Sequence, residues 1–433
     1  MLLKVNSKQY DFCLSIGLAI TLVSLPFLFT HKVFFVANRL AILFITLLWL
    51  FNNDFAARLK TVGKNYLLVS FILMYFVEIL GLFYSSNYVM AFSSLEKKLP
   101  LLLIPLIVLT SDDLRCKKLD MLLKCFVGSV TLASVVCLIQ AVHRNNYFDV
   151  FTNPNWFYFS YSDLTEILGI QPIYFSVFVS FSFFVVVFHG KKDWSLGSRM
   201  RALLCFFLGG FLFVFLTMLS GRTAIAATLL ILIAITFVFF QRRKRLLVGL
   251  LSVVSIVLVS GLLISQLPIV RERFLEALGM NKTSDWVYGD PQKTQPLPEA
   301  RLIKWKAAFN IIQDNWLIGV SSGDAQDELN TQYGRLGFQA GMNEQFNTHN
   351  QFLQTWVGSG LTGLMIFAAT LILGVVKSIK DKNHLYLVFI VIFCICCITE
   401  SMLERQFGIL IYVLLSSLFY SQSIEKVKMK FEN

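Results

Sequence analysis

Twelve predominantly apolar runs divide the 433-residue chain, most of them long enough for a helix of about 20 residues to cross the hydrocarbon of a bilayer. In lipid every backbone N–H and C=O must be satisfied within its own segment, so such runs can only be helical. The expected fold is an all-α polytopic membrane protein with about twelve transmembrane helices. With 56% hydrophobic and 15% charged residues, the chain is too apolar for a soluble globular protein. The formal charge of +12 sits in short basic clusters between the runs. Clusters of that kind set membrane orientation and meet membrane lipids; they do not form a nucleic-acid face.

Clusters such as Arg58/Lys60/Lys64, Lys191/Lys192/Arg199/Arg201, Arg242/Arg243/Lys244/Arg245 and Lys377/Lys380/Lys382 alternate with loops poor in lysine and arginine. The alternation predicts cytoplasmic termini, a large outer loop at 266–351 and a shorter outer loop at 143–171. It also predicts the organisation: nine helices in 1–265, an outer loop with amphipathic helices in 266–351, then three helices and a cytoplasmic tail in 352–433. The run 95–110 is the most interrupted, with Glu96, Lys97 and Lys98 at its outer end and Pro100 and Pro105 within it. It is kept as a span because the charge alternation is lost without it. None of the eight cysteines falls in the 266–351 loop, and no disulfide framework is implied. Cys394, Cys396 and Cys397 lie within an apolar run without a second ligand pair, which reads as packing, not metal binding.

Three positions carry candidate chemistry. Arg222, in the tight outer turn Ser220-Gly221-Arg222-Thr223-Ala224, is the only charge between Arg201 and Arg242. An ionised group at that depth costs a few kcal/mol unless it finds head groups or an anion, and both readings stay open. Arg301 opens a segment in which Leu302, Trp305, Phe309, Ile312 and Trp316 recur at helical spacing, predicting an apolar stripe that faces the membrane or the bundle, with Lys304 on the polar face. His349 is the only histidine of the large loop and immediately precedes an apolar helix. Neutral imidazole can accept a proton near pH 7, and Asn347 and Asn350 flank it as candidates to orient its ring. A structural role for a lone histidine is the competing reading.

The stretch Gly358-Ser359-Gly360-Leu361-Thr362-Gly363 matches a dinucleotide fingerprint in form, but no strand precedes it. Close helix packing, or a joint below His349, accounts for it better. No Asp-x-Asp pair occurs, and the acids of the outer loop, among them Asp285, Asp290, Asp314, Asp324, Asp327, Glu328 and Glu344, are scattered. A diphosphate at this surface would therefore meet guanidinium groups, which grip phosphate oxygens bidentately and keep their charge.

The ordered set resembles the O-antigen ligase and O-antigen polymerase superfamily of bacterial membrane glycosyltransferases. It comprises the Ser-Gly-Arg-Thr-Ala turn, Arg301-x3-Trp305 followed by Asn315-Trp316-Leu317-Ile318-Gly319-Val320, and Thr348-His349-Asn350-x2-Leu353 running to Gly360-Leu361-x-Gly363. Glu400-Ser401-x2-Glu404-Arg405-Gln406-x-Gly408 completes it, together with one large loop late in the chain. The resemblance implies a GT-C-like, inverting, metal-independent transferase without a cofactor. It would work at the periplasmic face of the bacterial inner membrane on an undecaprenyl-diphosphate-linked glycan. Carried over by position, Arg222 and Arg301 bind the donor diphosphate, Lys98 or Lys97 adds a phosphate contact, and His349 acts as base on the acceptor hydroxyl.

A ligase would deliver the glycan to a sugar hydroxyl of lipid A–core; a polymerase or a protein O-oligosaccharyltransferase would use the same donor. The chain departs from the family before the sixth span, where Gln171-Pro172-Ile173-Tyr174 stands in place of a second histidine-containing stretch. A transporter is the competing class, but the spans offer few ionisable groups, Glu78 and Lys124 among them, and no internal repeat is found. On this reading the 266–351 loop is a lid carrying Arg301 and His349, and the bundle supplies Arg222.

Overall fold

The computed structural model describes residues 7–51, 58, 60–111, 116–145, 155–195, 197–277 and 297–431. Asp285 and Asp290 lie outside the described residues. All regular structure among the described residues is helical. In chain order the helices are α1 (Ser7–Ser24), α2 (Lys32–Leu50), α3 (Tyr66–Leu82), α4 (Tyr88–Lys98), α5 (Pro100–Thr110), α6 (Cys116–Arg144), α7 (Tyr161–Thr165), α8 (Pro172–Ser195) and α9 (Arg199–Met218). They continue as α10 (Arg222–Arg242), α11 (Leu246–Gln266), α12 (Pro268–Ala277), α13 (Leu297–Asn315), α14 (Ala325–Arg335), α15 (Gln339–Asn343), α16 (Gln351–Lys380), α17 (His384–Thr399) and α18 (Gln406–Phe431). Among the described residues eight helices are long and apolar enough to cross a membrane, and α3, α17 and residues 406–422 are shorter apolar helices. The protein is a polytopic helical membrane protein.

Local chemistry sets the helix ends. The side chains of Asn65, Asn87 and Asn350 accept the orphan N–H groups of Leu68, Met90, and Phe352 with Leu353, at the starts of α3, α4 and α16. The expected span 95–110 is made of the end of α4 and the whole of α5, which meet at Leu99 with Pro100 opening the second. Proline lacks the N–H that a continuing helix needs but is tolerated in a first turn. With 11 residues, α5 is about 16 Å long, roughly half a hydrocarbon thickness.

The chain forms two compact units: Met1–Phe126 with Pro298–Ile390 and Cys397–Asn433, and Val127–Leu297 with Val391–Cys396. In the first, α13, α14 and α15 build a small helical layer on the start of α16. Its core is Ala307, Ala308, Ile311, Ile312, Ala325, Leu329, Tyr333, Phe338, Leu353 and Val357. The expected stripe divides between two surroundings: Ile312 is in this core and Trp305 packs against it, whereas Leu302, Phe309 and Trp316 are exposed by 62%, 47% and 53%. Small alanines let helices approach closely, whereas large apolar residues also suit contact with lipid, and hydrophobic spacing alone does not separate the two.

Helix α16 is broken at Gly360, whose φ of 65° and ψ of −169° only glycine adopts readily. At the break the 316–320 turn takes over the backbone hydrogen bonding. The Leu361 N–H donates to the Trp316 carbonyl at 2.8 Å, and the Val357 carbonyl accepts the Val320 N–H at 2.9 Å. A Cβ on Gly360 would overlap the Leu317 carbonyl oxygen, and one on Gly319 would crowd the Val357 carbonyl. The Asn-Trp-Leu-Ile-Gly-Val and Gly-Ser-Gly-Leu-Thr-Gly motifs are thus two halves of one hydrogen-bonded backbone break. The layer is also latched to the turn before α4: the Asp324 carboxylate accepts the N–H groups of Ser86 and Asn87, at 2.8 and 2.7 Å, and the Ser85 hydroxyl at 3.2 Å.

In the second unit α8 is the most enclosed helix, with 72% of its apolar window buried. Its Ser180 hydroxyl meets Thr228 of α10 at 2.6 Å. Arg144, at the end of α6, pairs with Asp163 at 3.7 Å and with Glu166, which fastens the 155–171 loop.

Candidate functional site

A polar constellation in the first unit surrounds His349. Its backbone sits at φ 47°, a left-handed conformation uncommon for a residue with a Cβ. Two neighbours hold it there: the His349 N–H donates to Asn347 Oδ1 at 2.9 Å, and the next residue, Asn350, caps α16. Asn347 and Asn350 therefore fix the backbone. The ring is oriented by a residue that the sequence offered only as part of the Glu-Ser-x2-Glu motif, without a role: His349 Nδ1 lies 3.1 Å from Oε2 of Glu400.

Glu400 follows α17, and its side chain is only 11% exposed. Burial by itself would push its carboxyl up. The hydrogen bond from His349, the Ser401 N–H on Oε1 and the nearby Lys304 ammonium outweigh that and hold it below the usual range. A carboxylate at Nδ1 selects the tautomer in which Nδ1 carries the proton, so Nε2 is left as the acceptor.

The 347–354 segment and the turn after α17 clasp each other through side chains. Ser401 Oγ donates to Asn347 Oδ1 at 3.2 Å, the Thr348 N–H donates to Gln354 Oε1 at 3.1 Å, and the Leu403 N–H donates to Gln351 Oε1 at 2.6 Å. The Thr-His-Asn-Gln and Glu-Ser-x-x-Glu motifs are in this sense one structure.

Helix α13 presents cations to the same constellation. Lys304 is 7% exposed, and its Nζ lies 3.8 Å from the centre of the Phe346 ring, which in turn meets the His349 ring edge-on at 5.8 Å. Burial pushes the Lys304 ammonium down to about 8; Glu400 opposes that fall, and Arg301, one turn earlier, adds to it. From sequence Lys304 was only a residue of the polar face. Arg301 itself is half-buried at the start of α13.

Lys98, expected as a phosphate contact, has its ammonium 2.7 Å from Glu78 Oε1 and 3.6 Å from Glu404 Oε1. Its side chain is 8% exposed, and the Ser359 hydroxyl also reaches Glu78. Arg222 belongs to the second unit. Ser220 turns there with φ 53°, Gly221 packs where a Cβ would overlap the Ser176 hydroxyl, and Arg222 opens α10 with Nη1 donating to the Arg273 carbonyl at 2.8 Å. Among the described residues no three His, Cys, Asp or Glu side chains group as a metal site would need. Residues 204–368 match the protein family described as O-antigen ligase, a stretch that contains Arg222, Arg301, Lys304 and His349. No curated protein matches the chain.

Proposed function

We propose that the chain, whose residues 204–368 match the family described as O-antigen ligase, is an enzyme of the ligase and polymerase type that transfers a glycan from undecaprenyl diphosphate to a sugar hydroxyl of lipid A–core. The reaction takes place at the periplasmic face of the bacterial inner membrane, without a metal, and inverts the anomeric centre. The observation that carries the reading is the 3.1 Å contact between His349 Nδ1 and Glu400. With Nδ1–H committed to a carboxylate, Nε2 accepts the proton of the acceptor hydroxyl as its oxygen attacks the anomeric carbon from the face opposite the diphosphate.

The bond to the diphosphate oxygen breaks as the new C–O bond forms, and its electron pair stays on the leaving group. Arg222 and Arg301 are assigned to that developing charge, because fixed guanidinium groups stabilise it without reorganising. Lys98 is given a structural role, since two carboxylates already face its ammonium.

The test is transfer in detergent from a labelled undecaprenyl-diphosphate glycan to three acceptors offered separately: lipid A–core, a growing glycan and a protein. Product on lipid A–core, lost by about 10²–10⁴-fold in His349→Ala, is the expected result. Product on the growing glycan alone makes the chain a polymerase, and product on protein alone makes it an O-oligosaccharyltransferase. Detergent abolishes transport, so transfer there excludes a transporter, and full activity of His349→Ala removes the assignment of the base.

A further inference from the structure

In the second unit one guanidinium is buried without the partners that burial demands. Arg273 of α12 is 4% exposed, and among the described residues its Nε and Nη1 have no hydrogen-bond partner. A buried charge persists when something pairs with it, because unmade hydrogen bonds to an ionised group forfeit its whole hydration. What the fold supplies is incomplete: the guanidinium carbon lies 3.4 Å from the centre of the Tyr161 ring, which covers one face of the plane and leaves the donor edge unsatisfied.

The placement is built. Tyr161 has φ 52°, and its helix is held by Arg144 through Asp163 and Glu166, so the acids of this loop are already engaged. Val270, one turn before Arg273, is fully buried and anchors α12. The Arg273 carbonyl accepts Nη1 of Arg222 at 2.8 Å, so two cationic residues are tied at one place. Three segments meet there: the 220–224 turn, α12 and the 155–171 loop. The charge alternation of the sequence predicts all three on the outer side.

We propose that Arg273 binds a phosphate-bearing group beside Arg222, its unpartnered guanidinium edge facing the anion while Tyr161 holds the plane. The inference rests on the reading of Arg222 as a donor-diphosphate residue and adds the residue that shares that load. A planar guanidinium suits two phosphate oxygens at once, and stacking fixes it before the ligand arrives, so little order is lost on binding.

The test uses the full-length protein in detergent with undecaprenyl diphosphate, undecaprenol, phosphatidylglycerol and inorganic pyrophosphate, read as affinity and as the shift in melting temperature. Undecaprenyl diphosphate should bind and undecaprenol should not. Arg273→Gln and Arg273→Met should weaken that binding by about tenfold or more, with Arg273→Lys in between, while the unliganded melting temperature holds or rises because a buried unpaired charge has gone. Wild-type affinity in Arg273→Met, or a lower melting temperature with unchanged affinity, would make Arg273 structural and overturn the proposal.

The donor reading fails separately. If only phosphatidylglycerol or pyrophosphate binds in an Arg273-dependent way, the anion site stands and the donor assignment falls. If none of the phosphate compounds binds the wild type, both fall.

Discussion

His349 Nδ1 lies 3.1 Å from Glu400 Oε2 across 51 residues of sequence, and the contact joins two motifs that look independent in the primary structure. The same pairing fixes a tautomer and leaves one ring nitrogen to face an acceptor. An imidazole without that carboxylate could rotate or carry its proton on the wrong nitrogen.

Glu400→Gln therefore separates charge from shape. The amide fits the same space; with its oxygen held by the Ser401 N–H its NH2 faces the ring and favours the tautomer with the proton on Nε2, which cannot then act as a base. Transfer should fall by about 10²–10⁴-fold while the melting temperature stays close to that of the wild type. Glu400→Gln at full rate would show that the contact only anchors the turn after α17.

Lys98 should behave as a structural cation. Removing it as Lys98→Met leaves Glu78 and Glu404 facing each other in a largely buried place, a change that costs about 3–5 kcal/mol. The double variant Lys98→Met/Glu78→Gln should recover part of that loss in denaturant titrations. In both proteins the donor KM should match the wild type. A raised donor KM at unchanged stability would restore Lys98 as a phosphate contact.

The helical architecture was legible because lipid leaves the backbone one option, and Arg222, Arg301 and His349 stood out because charge and imidazole are rare near apolar runs. What escaped depended on distance in the chain. Glu400 could not be linked to His349 by spacing, and the hydrogen-bond exchange between 316–320 and 357–361 needs two segments to meet before either motif makes sense. The stripe on α13 could not be assigned to membrane or bundle because Leu302 and Phe309 suit lipid as well as a protein core; the contact with α14 and α16 is made by Ala307, Ala308, Ile311 and Ile312. A buried cation such as Lys304 reads as an ordinary polar-face residue until burial is known.

Lys304 gives a pH-dependent signature. Its ammonium titrates at about 8 in the folded protein, below the ordinary value of 10.5. Between those values the unfolded chain binds more protons than the folded one, so stability rises with pH across that window; below pH 8 the full penalty of burying the charge is present. Lys304→Met should thus be stabilised by up to roughly 3 kcal/mol at pH 7, with an advantage that shrinks as pH rises from 8 towards 10.5. Denaturant midpoints of both proteins across that range measure it. A constant difference between them would mean that the lysine does not lose its proton in the fold.

The backbone joint at Gly360 makes the last prediction. An alanine there would have to adopt φ 65° and ψ −169°, a conformation that strains residues with a Cβ, and its methyl would overlap the Leu317 carbonyl oxygen. Gly337 separates the two effects: its φ is 68°, but a Cβ there meets nothing within 4 Å. Gly337→Ala should cost about 1 kcal/mol, the strain alone. Gly360→Ala should cost at least about 3 kcal/mol, because the overlap also pushes the 316–320 turn off α16 and breaks the exchanged hydrogen bonds. Transfer should fall with it, since the core that seats α13 includes Val357 and Leu353, on the segment of α16 between the joint and His349. Equal costs for the two variants would place the penalty in backbone conformation and take the joint out of the account.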